Sequence, residues 1–309
     1  MKKKTILLKY IAGYIDGDGC FYIGKTIQKP KMITVYEYSI QIVSVKREIL
    51  DTFCHTYGGF ILKKPNKINH KDQYCWIIKG QHAAKLSSAI KNYLVDKKIA
   101  CTCFIKYAKT IVHNKFCKIS QKTIDKRENL IIEIRKDRHM NNLIDKESIN
   151  TINKRQHMVT PEESDYPYLA GLIDSEGCFR VKKWKPKNKP NHVYMINLEI
   201  GNTKLPIMPW LIERFGGTAQ FSPCKGTKKA SATWCIAAKT LSKILPKIRP
   251  FLTNKRDVCD KLIEFQKTIL PNGGDRHSEI FKALFEKRIE VRERIIDEIH
   301  KLNHKGPRS

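Results

Sequence analysis

Residues 10–21 read YIAGYIDGDGCF, and residues 168–179 read YLAGLIDSEGCF. The second stretch begins 158 positions after the first, and the same offset carries Trp76 onto Trp234. A single register held from the motif to the tryptophan is typical of a tandem duplication. The chain is therefore expected to contain two copies of one structural unit.

Each copy predicts the same order of elements. An apolar helix at residues 6–17 is repeated at residues 166–175. Turn residues and alternating apolar positions then predict, in the first copy, strands 20–28 and 35–43, helix 46–57, strands 59–64 and 73–78, and helix 80–93. This order is αββαββα, an α+β unit with a four-stranded antiparallel sheet.

The ends of the two units are set by where the similarity stops. It fades beyond residues 111 and 269, and the polar stretch 139–165 is typical of a linker. We therefore expect an N-terminal domain at residues 1–138 and a C-terminal domain at residues 166–309.

The charge indicates the class of partner. The 309 residues include 59 Lys and Arg against 30 Asp and Glu, a net charge of +29. Residues 1–150 carry 29 basic and 13 acidic side chains, and residues 151–309 carry 30 and 17. A surplus of this size in both halves favours a nucleic acid as the partner.

Other protein classes are excluded by composition. No uncharged apolar run reaches the ~18 residues of a membrane-spanning helix, and no signal-peptide cleavage site follows the first residues. The ten cysteines contain no C-x-x-C spacing, so neither a zinc site nor a disulfide framework is expected. We expect a protein of an organelle, or of a bacterial or phage-infected cytoplasm, that is not secreted.

The repeated motif carries an acidic residue at each predicted helix end. Small residues on both helices allow close approach of their backbones; they are Ala12, Gly13, Gly17, Ala170 and Gly171. Side-by-side packing would bring Asp18 and Glu176 together beside the free carbonyls of the helix C-termini. Carboxylate and carbonyl oxygens suit Mg²⁺ or a similar hard cation.

The motif has two simpler interpretations. A calcium loop of the EF-hand type is excluded because Cys20 and Phe21 stand where a ligand and a glycine are needed. A helix that merely ends at an acidic residue before glycine is common. Two copies in one register, both with the acid, favour a functional role.

The stretches IAGYIDGDG (11–19) and LAGLIDSEG (169–177) resemble the LAGLIDADG homing endonuclease family in its single-chain, two-motif form. The resemblance implies two pseudo-symmetric domains that join at their motif helices and form a saddle over double-stranded DNA. It also implies that Asp18 and Glu176, with the carbonyls of Gly17 and Ser175, hold Mg²⁺ or Mn²⁺.

Further roles follow from the same resemblance. Lys97 and Lys255 match the lysine near the scissile phosphate, and Ser44 and Asn202 fall at the polar position that orients water. The family pattern places glutamine or asparagine there, so Ser44 departs from it. Asp16 and Asp174 are expected to serve helix packing and capping.

The strands after each motif are candidates for reading the DNA. Alternation places one set of side chains opposite the core, and a two-stranded ribbon fits the major groove. The candidate DNA-binding residues are Tyr22, Gly24, Thr26, Gln28, Glu37, Ser39, Gln41, Arg180, Lys182, Trp184, Asn197, Glu199, Gln220 and Lys225.

The favoured hypothesis is a monomeric, divalent-metal-dependent DNA endonuclease, encoded by an intron, that cuts each strand once and leaves staggered ends. An alternative is an intron maturase that binds its host intron RNA, alone or in addition to cleaving DNA. A third hypothesis is a DNA-binding regulator without nuclease activity. Asp18 and Glu176 favour the nuclease because a binding protein would not need both acids.

Overall fold

The computed structural model describes residues 2–28, 33–65, 72–111, 119–139, 144–155, 159–187, 191–224, 226, 229–269 and 279–303. The described residues of its first unit form five helices and four strands: α1 (Lys3–Asp18), β1 (Gly19–Gln28), β2 (Ile33–Ser44), α2 (Arg47–Tyr57), β3 (Phe60–Lys64), β4 (Gln73–Lys79), α3 (Gly80–Ile90), α4 (Lys98–Ala108) and α5 (Gln121–His139).

The second unit repeats this order after a short helix, α6 (Lys146–Asn153). Its elements are α7 (Tyr166–Glu176), β5 (Gly177–Trp184), β6 (Val193–Asn202), α8 (Ile207–Phe215), β7 (Thr218–Ser222), β8 (Ser231–Ala237), α9 (Ala238–Ile248), a 3₁₀ turn (Arg249–Phe251), α10 (Arg256–Lys267) and α11 (Glu279–Asn303). Two repeated α+β units confirm the predicted fold class and the αββαββα order.

The strands form two antiparallel four-stranded sheets with the same topology. Their orders are β1-β2-β4-β3 and β5-β6-β8-β7. One face of each sheet packs under the helices and is called here the core face. In the first sheet it carries Ile40, Ile42, Trp76 and Ile78, all buried. The opposite face is called the outer face, and the side chains that alternate with these residues lie there.

The glycine pairs end the helices where the sequence predicts. Helix α2 ends at Gly58, whose φ of 80° lies in the left-handed region that favours glycine. The indole of Trp76 donates a hydrogen bond of 2.9 Å to the Gly58 carbonyl. Trp234 repeats this bond to Gly216 at 2.8 Å, so each sheet is tied in the same way to the helix before it.

The duplication extends further than the sequence comparison indicates. On α5, Arg127 donates to the side chain and carbonyl of Thr110, at 3.0 and 2.7 Å. On α11, Arg292 makes the same two bonds to Thr268, also at 3.0 and 2.7 Å. These arginines are 165 positions apart rather than 158. The structural repeat therefore continues beyond residues 111 and 269, where the sequence similarity fades, and its second copy carries seven extra residues.

The predicted linker contains structure of its own. Helix α6 buries Ile149 and Ile152, and its last residue, Asn153, pairs with the backbone of β7. The side-chain amide donates to the Ala219 carbonyl at 3.0 Å, and its oxygen accepts the Ala219 N–H at 2.8 Å. Because β7 is an edge strand, Asn153 supplies the hydrogen bonds that a further strand would make.

The described residues contain no helix that combines the length and the apolar composition needed to cross a bilayer.

Candidate functional site

The two motif helices, α1 and α7, touch backbone to backbone. A Cβ atom placed on Gly13 would lie 2.0 Å from the Tyr168 carbonyl oxygen, and one on Gly171 would lie 2.0 Å from the Tyr10 carbonyl oxygen. Only glycine permits this approach, because any side chain would overlap the facing helix. The predicted close packing of the small residues is confirmed.

The same contact brings the C-terminal ends of the helices together. A Cβ on Gly17 would lie 2.0 Å from Oγ of Ser175 and 3.0 Å from Cγ of Glu176. Asp18 is the last residue of α1, Glu176 is the last residue of α7, and both are exposed. The junction therefore presents two carboxylates to solvent beside the carbonyls of two helix ends.

The other two motif acids, Asp16 and Asp174, are buried and bind backbone amides. Asp16 accepts the N–H groups of Val95 at 2.7 Å and Lys97 at 2.8 Å. It also accepts the Tyr168 hydroxyl, from the other motif helix, at 2.6 Å. One carboxylate thus fixes the loop before α4 and joins the two units.

The second copy repeats these bonds. Asp174 accepts the N–H groups of Thr253 at 2.6 Å and Lys255 at 2.8 Å, and the Tyr10 hydroxyl at 2.7 Å. Burial, and then the nearby Asp174 carboxylate, raise the pKa of Tyr10 well above its ordinary value. The phenol therefore remains a hydrogen-bond donor. The expected packing role of Asp16 and Asp174 agrees with their bonds to the facing helix, whereas their other bonds hold the loops before α4 and α10 and do not cap the motif helices.

These loops place the two predicted lysines under the helix ends. The Lys97 ammonium donates to the carbonyls of Ile15, Gly17 and Gly19 at 2.7, 2.8 and 2.8 Å. An ammonium has three donors, and all three are used here. Burial lowers the pKa of Lys97, while the Asp16 carboxylate opposes that shift.

Lys255 occupies the matching place below α7. Its ammonium donates to the carbonyls of Ile173 and Asp174, the latter at 3.2 Å, and lies 3.5 Å from the Ser175 carbonyl. Burial lowers its pKa to about 8, with Asp174 acting in the opposite sense. Both helix ends thus hold an ammonium group at the carbonyls that the family resemblance assigns to a metal ion.

The predicted polar residues Ser44 and Asn202 end strands β2 and β6. Ser44 accepts the N–H of Lys46 at 3.1 Å, and Asn202 accepts the N–H of Lys204 at 2.8 Å. Asn202 also lines a cleft of about 300 Å³ together with Gly17, Lys97, Glu176 and Lys204. The structure therefore brings most of the predicted catalytic residues of one site into one cleft.

Sequence reasoning missed a pair of lysines that cross between the units. Lys204 of the second unit lies 3.6 Å from Asp96 and 3.7 Å from Asp137, both in the first unit. Its counterpart in the first unit, Lys46, donates to the carbonyl of Asn254 in the second. The offset of 158 relates Lys46 to Lys204, and this was the available signal. The two sites differ, because Asp96 corresponds to Asn254.

The outer faces carry the predicted DNA-binding residues in different settings. Arg180 and Lys182 both pair with Glu199, at 2.7 and 3.1 Å. Tyr22 and Trp184 are 37% and 43% exposed, so their rings are accessible to a ligand.

Other predicted contacts are covered in the free protein. Ser39 and Asn197 are buried. The amide of Gln41 donates to Ser39 at 3.0 Å, and that of Asn197 donates to Glu199 at 2.7 Å. Gly24 lies under the Tyr22 ring, since a Cβ there would be 2.4 Å from its hydroxyl oxygen.

The remaining candidates are placed as follows. Glu37 pairs with Lys79, and Gln220 is exposed on β7. Thr26 and Gln28 lie on β1, where their backbones pair with Val35 and Ile33. Lys225 lies outside the described residues.

Comparison with known proteins adds independent findings. The family model described as LAGLIDADG endonuclease matches residues 11–111 and 169–269. No curated protein matches the chain.

Among solved structures, the I-SmaMI LAGLIDADG homing endonuclease bound to cleaved DNA is 14% identical, with 96% of this chain and 98% of that chain covered and a TM-score of 0.68. The I-LtrWI LAGLIDADG homing endonuclease bound to target DNA is 16% identical, with 98% and 99% covered and a TM-score of 0.65. I-SmaMI bound to an uncleaved DNA target in the presence of calcium ions is 13% identical, with 94% and 97% covered and a TM-score of 0.65. These structures share the fold of this chain.

Proposed function

The chain belongs to the LAGLIDADG endonuclease family, and from this premise we propose that it hydrolyses one phosphodiester on each strand of a specific duplex DNA site. The observation that carries the proposal is the junction of α1 and α7. There, Asp18 and Glu176 end neighbouring helices whose backbones are in direct contact at Gly13 and Gly171. Two neighbouring carboxylates would each serve the cut on one DNA strand, and the two cuts would then lie close together.

The residues at the junction fit a hard divalent cation. Asp18, Glu176 and the carbonyls of Gly17 and Ser175 offer only oxygen, the donor that Mg²⁺ and Mn²⁺ prefer. The Lys97 and Lys255 ammonium groups lie 2.8 Å from the Gly17 carbonyl and 3.5 Å from the Ser175 carbonyl, so a metal ion bound there would displace them towards the phosphate. When bound, such an ion would lower the pKa of a coordinated water and neutralise charge on the leaving oxygen.

No cluster of three or more His, Cys, Asp or Glu side chains suited to a metal occurs in the described part of the chain. Asp18, Glu176 and the two carbonyls offer four oxygen ligands when each carboxylate binds through one oxygen, fewer than the six of an octahedral shell. We propose that phosphate oxygens of the DNA and water fill the remaining positions. This arrangement would make metal binding strongest when DNA is bound.

The chain's own side chains supply orientation and charge. Asp16 and Asp174 hold the backbone of Lys97 and Lys255 in place. Each ammonium would stabilise negative charge on the phosphate in the transition state. Asn202, in the cleft with Glu176, would orient the attacking water; its counterpart is Ser44. Each cut would add one water molecule across a phosphodiester bond, and the offset cuts would leave staggered ends.

The test is cleavage of duplex DNA with and without Mg²⁺. The substrate is the empty insertion site of the host intron or, failing that, a randomised duplex library from which cleaved molecules are recovered. We expect cleavage by the wild type, removal of cleavage by EDTA, and its recovery with Mg²⁺ or Mn²⁺. Asp18→Asn and Glu176→Gln should each reduce cleavage at least a hundredfold while DNA affinity is kept.

Asp51→Asn is the matched control, because it makes the same chemical change at an exposed side chain of α2, away from the junction. It should cut at the wild-type rate. Cleavage that persists in Asp18→Asn and Glu176→Gln would contradict the assignment, as would wild-type cleavage unaffected by EDTA.

We further propose that the protein acts as a monomer and is encoded by an intron in an organelle, bacterial or phage genome. The two joined units of a single chain support the first point. Host intron RNA is a second candidate partner, because a net charge of +29 suits a folded RNA as well as DNA. In vitro splicing of the host intron, with and without the protein, tests that role; an unchanged splicing rate would exclude it.

A further inference from the structure

The outer face of the first sheet carries an unusual group of apolar side chains. Phe60 and Leu62 on β3 are 42% and 51% exposed. They pair across the sheet on β4 with Ile77, which is half-buried, and with Cys75, which is buried. These four residues, Phe60, Leu62, Cys75 and Ile77, are called here the apolar strip.

The strip is separate from the core. Ile61, Trp76 and Ile78 alternate with its members along β3 and β4, and the latter two are buried on the core face. Packing in the core therefore explains why the residues that alternate with Phe60 and Leu62 are apolar. It does not explain why Phe60 and Leu62 are apolar. Exposed apolar side chains that lie together commonly mark a binding surface.

Basic and polar groups border the strip on the same face. The Lys79 ammonium lies 5.6 Å from the centre of the Phe60 ring, and Lys64 pairs with Gln73 at the other end of β3. Lys79 faces Ser39 on β2, so the strip is continuous with the candidate DNA-binding residues. A row of apolar side chains between cations matches a DNA groove, where phosphates border the base edges.

The second unit provides an internal comparison. At the offset of 158, the positions of the strip are occupied by Thr218, Gln220, Thr233 and Cys235. The strands pair in the same way, Thr218 with Cys235 and Gln220 with Thr233. The same fold is therefore built with polar side chains at Thr218, Gln220 and Thr233. The second unit makes the same strand pairing without these apolar side chains, which favours a difference in what the two halves bind.

Resting on the proposed function, we propose that the apolar strip reads thymine methyl groups in the half of the DNA site bound by the first unit. In the major groove the C5-methyl of thymine is the apolar feature of the base edges, and apolar side chains select it. The matching strands of the second unit hold hydroxyl and amide groups and read their half of the site by hydrogen bonds. The two half-sites thus differ in thymine content along β3 and β4.

The first experiment needs no variant. Sites are selected from a randomised duplex library, and the best site is resynthesised with deoxyuridine in place of thymidine, one position at a time. Uracil keeps every base-pairing group and lacks only the methyl. At the positions read by the strip, each replacement should weaken binding by about threefold to fourfold, the value of one buried methyl group.

The second experiment exchanges the two units' residues. Phe60→Thr with Leu62→Gln installs the side chains found at Thr218 and Gln220. We expect this variant to bind thymine and uracil equally at those positions and to keep its preferences in the other half. The reverse exchange, Thr218→Phe with Gln220→Leu, should create a thymine preference in the second half. All four side chains are exposed or at the sheet surface, and circular dichroism confirms that the variants fold.

The outcomes separate this inference from the proposed function. A protein that selects no site and cuts no DNA would refute both. A selected site that is indifferent to uracil, or a Phe60→Thr, Leu62→Gln variant that keeps the thymine preference, would overturn the strip alone. If the Phe60→Thr, Leu62→Gln variant sedimented differently from the wild type but kept its base preference, the strip would instead bind a second copy of the chain.

Discussion

At the scale of single residues, the four motif acids divide into two kinds. Asp16 and Asp174 are buried and each accepts hydrogen bonds from backbone amides and a tyrosine, whereas Asp18 and Glu176 are exposed at the helix ends. A spacing of two residues on a helix turns neighbouring acids to different sides. One pair therefore builds the scaffold, and the other pair lies at the surface, where the proposed chemistry requires it.

The first prediction concerns the helix contact. Gly13→Ala should destabilise the protein by about 1–3 kcal/mol or more, because its Cβ would overlap a backbone carbonyl that cannot move alone. Thermal unfolding measures the change. Gly201→Ala is the control, since the nearest atom to its Cβ would be 3.9 Å away. Equal stability of Gly13→Ala and the wild type would contradict the close contact.

The second prediction concerns Asp96, a buried acid beside Lys204. Burial raises its pKa from the ordinary 3.8 to about 6, with the Lys204 ammonium opposing the shift. The folded protein therefore holds a proton that the unfolded chain has released, and the resulting stability is present below about pH 4 and lost as the pH rises past 6. An asparagine, the residue found at the matching position 254, has no such dependence.

Relative to the wild type, Asp96→Asn should therefore gain stability as the pH rises from 4 to 8, by up to about 3 kcal/mol. Urea unfolding at several pH values gives the difference. Asp51→Asn, at an exposed position of α2, is the control for the loss of one carboxylate. If the difference in unfolding free energy between Asp96→Asn and the wild type did not change with pH, burying the Asp96 charge would not destabilise the protein.

At the scale of elements, the linker helix and the edge of the second sheet depend on one another. Asn153 of α6 makes two hydrogen bonds to the backbone of Ala219 on β7. The first sheet shows no matching helix in the described residues. The second sheet is thus covered at an edge by a segment that the sequence predicts only as a linker.

The third prediction tests that edge. Asn153→Ala should cost about 1–3 kcal/mol, because a backbone donor and acceptor of β7 lose their partners. Asn150→Ala, on an exposed position of the same helix, controls for helix propensity. Hydrogen exchange at the Ala219 amide should rise in the first variant and stay unchanged in the second; equal protection in both would contradict the pairing.

Element by element, the sequence predicts the helices and strands up to α3 and α9 well, because apolar periodicity and glycine turns are local signals. It misses α5 and α11 as a repeated pair for a different reason. Seven extra residues shift the register, so Arg127 and Arg292 no longer align at one offset. Only their common contacts with Thr110 and Thr268 show that they are equivalent.

At the scale of the whole molecule, a net charge of +29 should attract DNA phosphates to the two outer faces. A fourth prediction follows. Binding to nonspecific duplex DNA should weaken steeply between 50 and 200 mM salt, by about 10³–10⁵ if six to ten phosphates are neutralised. Fluorescence anisotropy at several salt concentrations measures the slope.

Substitution of one lysine on an outer face and of one lysine elsewhere provides the control for this prediction. Lys182→Gln on the outer face should reduce the salt slope by about one unit. Lys261→Gln should not, because that lysine lies on α10, on the helix side of its sheet rather than on the outer face. A slope that is unchanged by Lys182→Gln, or a wild-type affinity insensitive to salt, would contradict DNA binding by the outer faces.

The sequence by itself determined the duplication, the α+β class, the glycines of the helix contact and the two exposed acids, because these follow from local pattern and from one repeated register. Only the tertiary structure decided which carbonyls Lys97 and Lys255 bind, that Lys46 and Lys204 cross between units, and that the two outer faces differ along β3 and β4. Those features depend on atoms far apart in the chain. Sequence spacing carries no information about such distances until the two units are packed against each other.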